Sequence, residues 1–265
     1  MIGGPATTGG EDYSKLFLAN AHKRGTPLDF FSWHGYGKTV YDIAERARNT
    51  RKLMDDNGYR NAKSYCTEWN YVKGWTQDWL YTLRVEMGDA VQKGAAHRMA
   101  MILAFQDSSV DLAHYYDARP NAMNGIFDSV TLRPMKGYYP FYAWSKLVDR
   151  GTQVACSVTD GTGADSNANT GFVERKDKSK AGGFRAVAAK GANGSGAVLI
   201  VRYSDNDNVS DTGKVTVRVP GVDLAKARCH LTDLVRTYTE VPLEPAADGA
   251  AVLRMQPLSF ALIEY

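Results

Sequence analysis

Cysteine is scarce in this sequence, and its spacing carries no pattern. The chain has 265 residues and three cysteines, Cys66, Cys156 and Cys229. A disulfide framework or a zinc site would need a regular or closely spaced set, so neither is indicated. A disulfide between Cys156 and Cys229 is one alternative, and buried free thiols are the favoured one. We expect no metal site and no cofactor.

The sequence also lacks a large charge imbalance, a long apolar run and a phosphate-binding loop. Its formal net charge of +3 is too small to indicate a polyanionic partner such as nucleic acid. No run approaches the roughly 18 apolar residues that span a bilayer, and residues 1–5 do not begin an export signal. The Gly-rich stretch near the start has neither the Walker spacing nor its lysine. We expect a soluble protein, cytoplasmic as given, that binds neither membranes nor nucleic acid.

The first 150 residues alternate between strand-like and helix-like patterns. Apolar runs alternate with segments that have apolar residues at helical spacing and that end at glycine, as at Gly25 and Gly58. Strands separated by helices indicate a parallel sheet with right-handed crossovers. We predict strands over residues 2–5, 28–34, 63–70 and 101–105, helices over residues 12–24, 40–57, 89–99 and 141–148, and a candidate extra strand over residues 112–117.

From residue 151 the composition changes to turn-forming residues around short alternating runs. In the clearest run, valines at positions 215, 217 and 219 alternate with polar residues, which is typical of a half-buried strand. Many short strands between turn signals favour an antiparallel β-sandwich. We predict strands over residues 153–158, 184–189, 197–203, 214–219, 251–255 and 260–265, and two domains, residues 1–150 and 151–265.

The stretch from Lys63 to Asn70 is the strongest indication of function. It reads as a short strand that ends in a carboxylate, an indole and an amide, at Glu68, Trp69 and Asn70. The carboxyl ends of parallel strands carry the active sites of α/β barrels, and these side chains suit a sugar site. A lone glutamate at a strand end is also commonly a solvated terminus or a salt-bridge partner, so the context must decide.

Several motifs occur in an order that resembles glycoside hydrolase family 39. They are Ile2-Gly3-Gly4-Pro5-Ala6, Asp29-Phe30-Phe31-Ser32-Trp33-His34, Thr67-Glu68-Trp69-Asn70, Asn124-Gly125-Ile126-Phe127-Asp128, Lys136-Gly137-Tyr138-Tyr139 and the closing residues 257–264. The resemblance covers nearly the whole chain. It implies a (β/α)8 barrel with an accessory β-sandwich that hydrolyses glycosides with retention, as β-xylosidases and α-L-iduronidases do. By this resemblance Glu68 matches the nucleophile after barrel strand 7, and His34 matches a strand 6 residue of the sugar pocket.

One element of the family pattern is missing. The family's acid/base is the glutamate of an Asn-Glu-Pro motif after strand 4, and this sequence has no such motif; Leu243-Glu244-Pro245 lies in the predicted sandwich. The first 150 residues thus match strands 5–8 only. The predicted fold is α/β plus all-β: a partial (β/α)8 TIM barrel, strands 5–8, followed by an antiparallel β-sandwich. Its open edges invite association, so we expect a homodimer, a missing N-terminal half or a rearranged fold.

Retaining hydrolysis needs a second carboxyl group beside the nucleophile. In a homodimer, strand 8 of one copy would fill the slot of strand 4 in the other, so we predict the partner subunit's Asp107 as the replacement acid. Asp117 and Glu86 are weaker candidates, and we expect helix-cap or turn roles for Asp89 and Asp128. The predicted sugar-binding residues are His34, Trp33, Tyr36, Trp69, Asn70 and Trp75, with Tyr71 and Trp79 as further stacking rings.

The sequence is compatible with two classes of function. The first is a glycosidase resembling β-xylosidases or β-glucosidases, acting on an oligosaccharide or an aryl glycoside with Glu68 as nucleophile. The second is a non-catalytic carbohydrate-binding protein or folded remnant, which the missing acid/base favours. Hydrolysis of an activated aryl glycoside distinguishes them, because its leaving group needs little protonation.

Overall fold

The first half of the chain builds a four-stranded parallel sheet. The computed structural model describes residues 1–8, 10–72, 78, 92–121, 124–160, 165–167, 183–206 and 212–265. The strands β1 (Gly3–Thr7), β2 (Phe30–Gly37), β3 (Lys63–Tyr71) and β4 (Leu112–Tyr115) lie in that order, each parallel to the next. They are connected through the helices α1 (Glu11–Lys23), α2 (Val40–Asp56) and α3 (Gln92–Gln106). The predicted mixed α/β architecture is therefore confirmed.

The fourth strand lies elsewhere than the main prediction put it. Residues 101–105 belong to helix α3, so the strand predicted there is wrong. A short apolar run fits a buried strand and a buried helix equally well by periodicity. Residues 93–104 of α3 are all buried, because the helix packs against β3, against the next helix and against strands of the second half. The fourth strand is instead β4, within the candidate extra strand over residues 112–117.

The second half begins after helix α4 (Tyr139–Val148) and consists of antiparallel strands. The strands in the described residues are β5 (Thr152–Val154), β6 (Ser157–Asp160), β7 (Asp165–Asn167), β8 (Phe184–Lys190), β9 (Gly196–Arg202), β10 (Gly213–Arg218), β11 (Arg228–Thr232), β12 (Thr239–Val241), β13 (Glu244–Pro245), β14 (Ala251–Met255) and β15 (Ser259–Glu264). They form a five-stranded sheet in the order β13-β14-β10-β6-β7 and a six-stranded sheet in the order β12-β11-β15-β9-β8-β5. Side chains of both sheets, such as Val215 and Ile200, share one buried core.

All six runs predicted in the second half coincide with strands. The run over residues 153–158 divides into parts of β5 and β6, which belong to different sheets. Strands β7, β11, β12 and β13 were not predicted. They have at most five residues each, so they are too short for an alternating pattern to stand out.

A second core joins the helices of the first half to the six-stranded sheet. Helices α3 and α4 pack with Leu199 and Val201 of β9 and with Phe260 and Leu262 of β15 in one buried cluster. The predicted domain boundary at residue 150 stays a prediction, since the two parts share this core.

The three cysteines are all buried and free. The prediction of buried thiols is confirmed, and Cys156 and Cys229 do not form a disulfide. Within the described residues, no helix combines the length and the apolar character needed to cross a membrane.

Candidate active site

A β-bulge in β3 decides which way Glu68 points. Trp33 of β2 pairs with Cys66, but the next residue, His34, pairs with Glu68, so Thr67 is an extra residue in β3. Strict alternation would put positions 66 and 68 on one face of the sheet. The inserted residue breaks that alternation: Cys66 and Trp69 are both in the core, whereas Glu68 keeps 32% of its side chain exposed. Bulges often re-aim a side chain next to an active site.

The Glu68 carboxylate is held by two side chains from the neighbouring strand. Tyr36 Oη donates a hydrogen bond of 2.6 Å to Glu68 Oε2, and His34 Nδ1 lies 3.2 Å from the same oxygen. Burial and the hydrogen bond to Glu68 raise the pKa of Tyr36 well above its ordinary value, so its hydroxyl stays protonated. Both contacts involve Oε2, and the carboxylate lies near the carboxyl end of a parallel strand.

Thr8, just after β1, adds a third strand to this site. Its Oγ1 lies 3.3 Å from His34 Nδ1, the nitrogen that also faces Glu68. The guanidinium of Arg46 in α2 donates hydrogen bonds to the carbonyl oxygens of Thr7 and Thr8, at 3.1 and 3.2 Å. The ends of β1, β2 and β3 thus converge on one carboxylate.

Three of the predicted stacking rings, Trp33, Trp69 and Tyr71, are buried instead, and Tyr71 is 1% exposed. Trp33 and Trp69 are only 1% and 2% exposed, so neither presents a ring face to a sugar. Trp33 Nε1 donates a hydrogen bond to Ser64 Oγ, and Trp69 packs against Phe105. The prediction that they bind substrate is wrong, because both belong to the buried side of the sheet.

The remaining predicted sugar-binding residues divide into three groups. His34 and Tyr36 lie at Glu68, and Tyr36 contacts the carboxylate through its hydroxyl. Asn70 is buried and binds the backbone: its Nδ2 donates to the Tyr116 carbonyl and its Oδ1 accepts from the Tyr71 amide. The predictions for Trp75 and Trp79 lie outside the described residues.

Asp107 does not occupy the position that was predicted for it. It is the first residue after α3 and lies in the connection to the start of β4. Four residues later, Asp111 pairs with Lys63, the first residue of β3. This is the edge of the sheet opposite to that of Glu68. Asp107 instead forms an ion pair with the buried Arg185 of β8. The prediction of Asp107 as the replacement acid is wrong, because the strand that was to carry it is a helix.

Of the other two candidate acids, Asp117 lies near the Glu68 edge of the sheet and Glu86 lies outside the described residues. Asp117 follows β4 at the edge of the sheet where Glu68 lies, but its carboxylate accepts hydrogen bonds from Arg119 Nε and Nη2, at 2.9 and 2.6 Å. Both contacts come from the guanidinium of one arginine, so this carboxylate is engaged in an ion pair. Glu86, like Asp89, lies outside the described residues. Asp128 accepts hydrogen bonds from the Thr131 amide and hydroxyl, at 2.6 and 2.8 Å, which is the predicted turn role.

No family model matches the chain, and no curated protein matches its sequence. Solved structures do match. A glucosidase from Croceicoccus marinus superposes with a TM-score of 0.63 at 16% identity, over 99% of this chain and 58% of that one. A monomeric β-xylosidase from Caulobacter crescentus gives a TM-score of 0.64 at 14% identity, over 99% and 60%. The fold is shared with glycoside hydrolases.

A family 51 α-L-arabinofuranosidase from Bifidobacterium longum shows the same likeness, with a TM-score of 0.55 at 15% identity, over 95% of this chain and 55% of that one. At such low identities the likeness concerns the fold alone. The chain spans about three fifths of the length of these structures. In the described part of the chain, no group of three or more His, Cys, Asp or Glu side chains is arranged to hold a metal ion.

Sequence reasoning put His34 and Tyr36 in the sugar site, but it did not identify Tyr36 as a partner of Glu68 or Thr8 as a partner of His34. Tyr36 follows His34 by two residues, so alternation along β2 puts both on one face. That spacing could have identified Tyr36 as a partner of Glu68. Thr8 had no comparable signal, because its contact with His34 joins residues 26 positions apart on different strands.

Proposed function

We propose that this chain is a retaining glycoside hydrolase of the family 39 type, acting on β-xylosides or β-glucosides with Glu68 as the nucleophile. The observation that carries the proposal is the Glu68 carboxylate, partly open to solvent at the carboxyl edge of a parallel sheet, with Tyr36 and His34 fixed on one of its oxygens. The fold shared with a glucosidase and a β-xylosidase supports the same reaction class.

The geometry suits nucleophilic attack by Glu68. Tyr36 and His34 both approach Oε2, which orients the carboxylate and leaves Oε1 to attack the anomeric carbon. In the first step a bond forms between Glu68 and that carbon while the bond to the leaving oxygen breaks. A second carboxyl group would protonate the leaving oxygen and then activate the water that releases the sugar.

We propose that another polypeptide segment closes the sugar cavity and supplies the second carboxyl group. A (β/α)8 barrel has eight strands, and the parallel sheet in the described residues of this chain has four. Apolar side chains are exposed just before β1, at the start of β4 and on the first helix: Ile2 is 60% exposed, Leu112 41% and Leu16 63%. In this proposal, strands β1–β4 correspond to strands 5–8 of a (β/α)8 barrel, and the second half of the chain is a β-sandwich. The segment is either an N-terminal half or a second copy of the chain.

The molar mass in solution distinguishes these two sources. Light scattering on the chain at micromolar concentration should give twice the monomer mass if a second copy closes the barrel. A monomer that gains activity when strands 1–4 of a related enzyme are added would favour the N-terminal half.

The nucleophile is tested with 2,4-dinitrophenyl β-xyloside and β-glucoside, whose leaving group needs little protonation. We expect the wild-type chain to release dinitrophenol and Glu68→Gln to release none above the background rate. Glu244→Gln is the matched control, since Glu244 is an exposed residue of β13 that pairs with Lys214 and Arg254. Equal rates for wild type and Glu68→Gln would refute the proposal.

A non-catalytic carbohydrate-binding protein is the second candidate function. The observation that favours it is that Asp107 and Asp117, two of the predicted acids, each form an ion pair with an arginine. In this case xylose or gluco-oligosaccharides should bind in calorimetry, while the dinitrophenyl glycosides remain intact.

A further inference from the structure

One carboxylate of the second half binds both ends of the connection that follows the Glu68 strand. Asp205, three residues beyond β9, accepts a hydrogen bond of 2.9 Å from Tyr71 Oη through its Oδ1. Lys93 Nζ lies 3.1 Å from the same oxygen and donates to the Asp205 carbonyl at 2.9 Å. Tyr71 ends β3 and Lys93 is in the first turn of α3. Lys93 and Asp205 are 7% and 18% exposed, so this pair is largely screened from water.

The same segment also holds the end of the neighbouring strand. Tyr203 Oη donates a hydrogen bond of 2.5 Å to the carbonyl of Lys38, the residue after β2. The buried ring of His97 lies between Tyr71 and Tyr203, with ring centroids 5.2 and 5.3 Å away. Residues 203–205 therefore contact the carboxyl ends of β2 and β3, which lie side by side where Gly37 pairs with Tyr71.

The position of the two strand ends matters for the proposed nucleophile. Glu68 is on β3, three residues before Tyr71, and its hydrogen-bond donor Tyr36 is on β2, two residues before Lys38. A hydrogen bond of 2.6 Å between two strands depends on how the strands are aligned along their length. The contacts of residues 203–205 with the two strand ends therefore also hold the distance between Tyr36 and Glu68.

We propose that Asp205 is a positioning residue for Glu68, through which the antiparallel part of the molecule fixes the geometry of the nucleophile. This inference rests on the proposed function, because it concerns the reactivity of that carboxylate. It assigns the second half of the chain a role in the reaction.

The test compares Asp205→Asn with Asp107→Asn. Asp205→Asn removes the negative charge that pairs with Lys93 at the start of α3, and Asp107→Asn removes the one that pairs with Arg185 just after the end of α3. Each variant therefore leaves one buried cation without that carboxylate. They act at opposite ends of α3, so only Asp205→Asn should disturb the strand ends near Glu68. Tyr71→Phe, which loses only the hydroxyl, serves as a milder variant should Asp205→Asn fold poorly.

The chemical readout is the covalent labelling of Glu68 by 2,4-dinitrophenyl 2-deoxy-2-fluoro-β-xyloside or the matching β-glucoside, followed by mass spectrometry. The bond from Glu68 to the anomeric carbon forms, the bond to the aryl oxygen breaks, and dinitrophenolate leaves. We expect Asp205→Asn to lower the maximal labelling rate by about 10- to 100-fold, the range expected for a small misplacement of reacting groups, with little change in the concentration for half-maximal rate. Asp107→Asn should label at the wild-type rate.

The structural readout is hydrogen exchange of the segments 36–38 and 69–72. Exchange there should accelerate in Asp205→Asn and Tyr71→Phe but not in Asp107→Asn. Exchange at the wild-type rate in both Asp205→Asn and Tyr71→Phe, or labelling of Asp205→Asn as fast as that of Asp107→Asn, would overturn the proposal. If the wild-type chain is not labelled at all, the proposed function fails, and exchange alone then decides whether Asp205 holds the strand ends.

Discussion

Removing the hydroxyl of Tyr36 should slow the proposed reaction without unfolding the protein. In Tyr36→Phe the ring stays, while the hydrogen bond of 2.6 Å to Glu68 Oε2 is lost. Burial and that bond raise the pKa of Tyr36, so the hydroxyl of the wild-type protein is protonated and donating at neutral pH. The variant therefore tests one donor on one oxygen.

The expected size of the effect follows from the character of this hydrogen bond. A hydrogen bond to a charged group contributes about 1.5–3 kcal/mol, which corresponds to roughly 10- to 150-fold in rate. Glu68 keeps 32% of its side chain exposed, so water can replace part of the lost interaction. We therefore expect the lower part of that range, about 10- to 30-fold, in the rate of dinitrophenol release.

The control for this experiment is Tyr65→Phe. Tyr65 lies on β3, the strand next to that of Tyr36, and its hydroxyl lies 3.9 Å from the sulfur of Met1 in an exposed position. Both variants should melt within a few degrees of the wild type. If Tyr36→Phe hydrolyses the activated glycosides as fast as Tyr65→Phe does, then Tyr36 does not organise the nucleophile.

Two further predictions concern the folded state. Burial raises the pKa of all three cysteines to about 12, so Ellman's reagent should modify them slowly in the native protein at mildly alkaline pH and quickly after denaturation; rapid native modification would contradict their burial. Burial alone would raise the pKa of Asp111, but hydrogen bonds from Lys63 and a β3 amide outweigh it and the net pKa is lowered. A lowered pKa stabilises the fold above the unfolded-state pKa of about 3.9, and this contribution is lost as the pH falls through the folded-state pKa. Asp111→Asn should therefore lower the free energy of unfolding at neutral pH, and urea titrations should show the difference shrinking below about pH 4.

The local features of the site were readable from the sequence, whereas the β-bulge was not. The strand carrying Glu68 and the apolar strand before it have clear patterns, and both are found within a few residues of the predicted bounds. The bulge at Thr67 follows from the pairing of two strands, and no residue type in β3 predicts it. It puts Cys66 and Glu68 on different faces, which alternation alone would have put together.

The run Met101–Phe105 shows a different kind of failure, with a larger consequence. Strand and helix cannot be separated by periodicity when every position is buried, and the helix is buried because it lies between the parallel sheet and the second half. Assigning a strand there moved Asp107 to the wrong edge of the sheet. The contact that Asp107 makes, with Arg185, spans the two halves of the chain and carries no local signal.

Asp107 and Asp205 both join the first half of the chain to the second half. Each aspartate joins an end of α3 to the six-stranded sheet or the segment that follows one of its strands, and each pairs with a buried cation. Only Asp205 also binds a residue of the strand that carries Glu68, and that contact joins positions 134 residues apart. A candidate catalytic residue can be identified from the residues next to it in the sequence. The residue that holds it in place can come from any part of the chain, so only the folded arrangement distinguishes a positioning aspartate from a structural one.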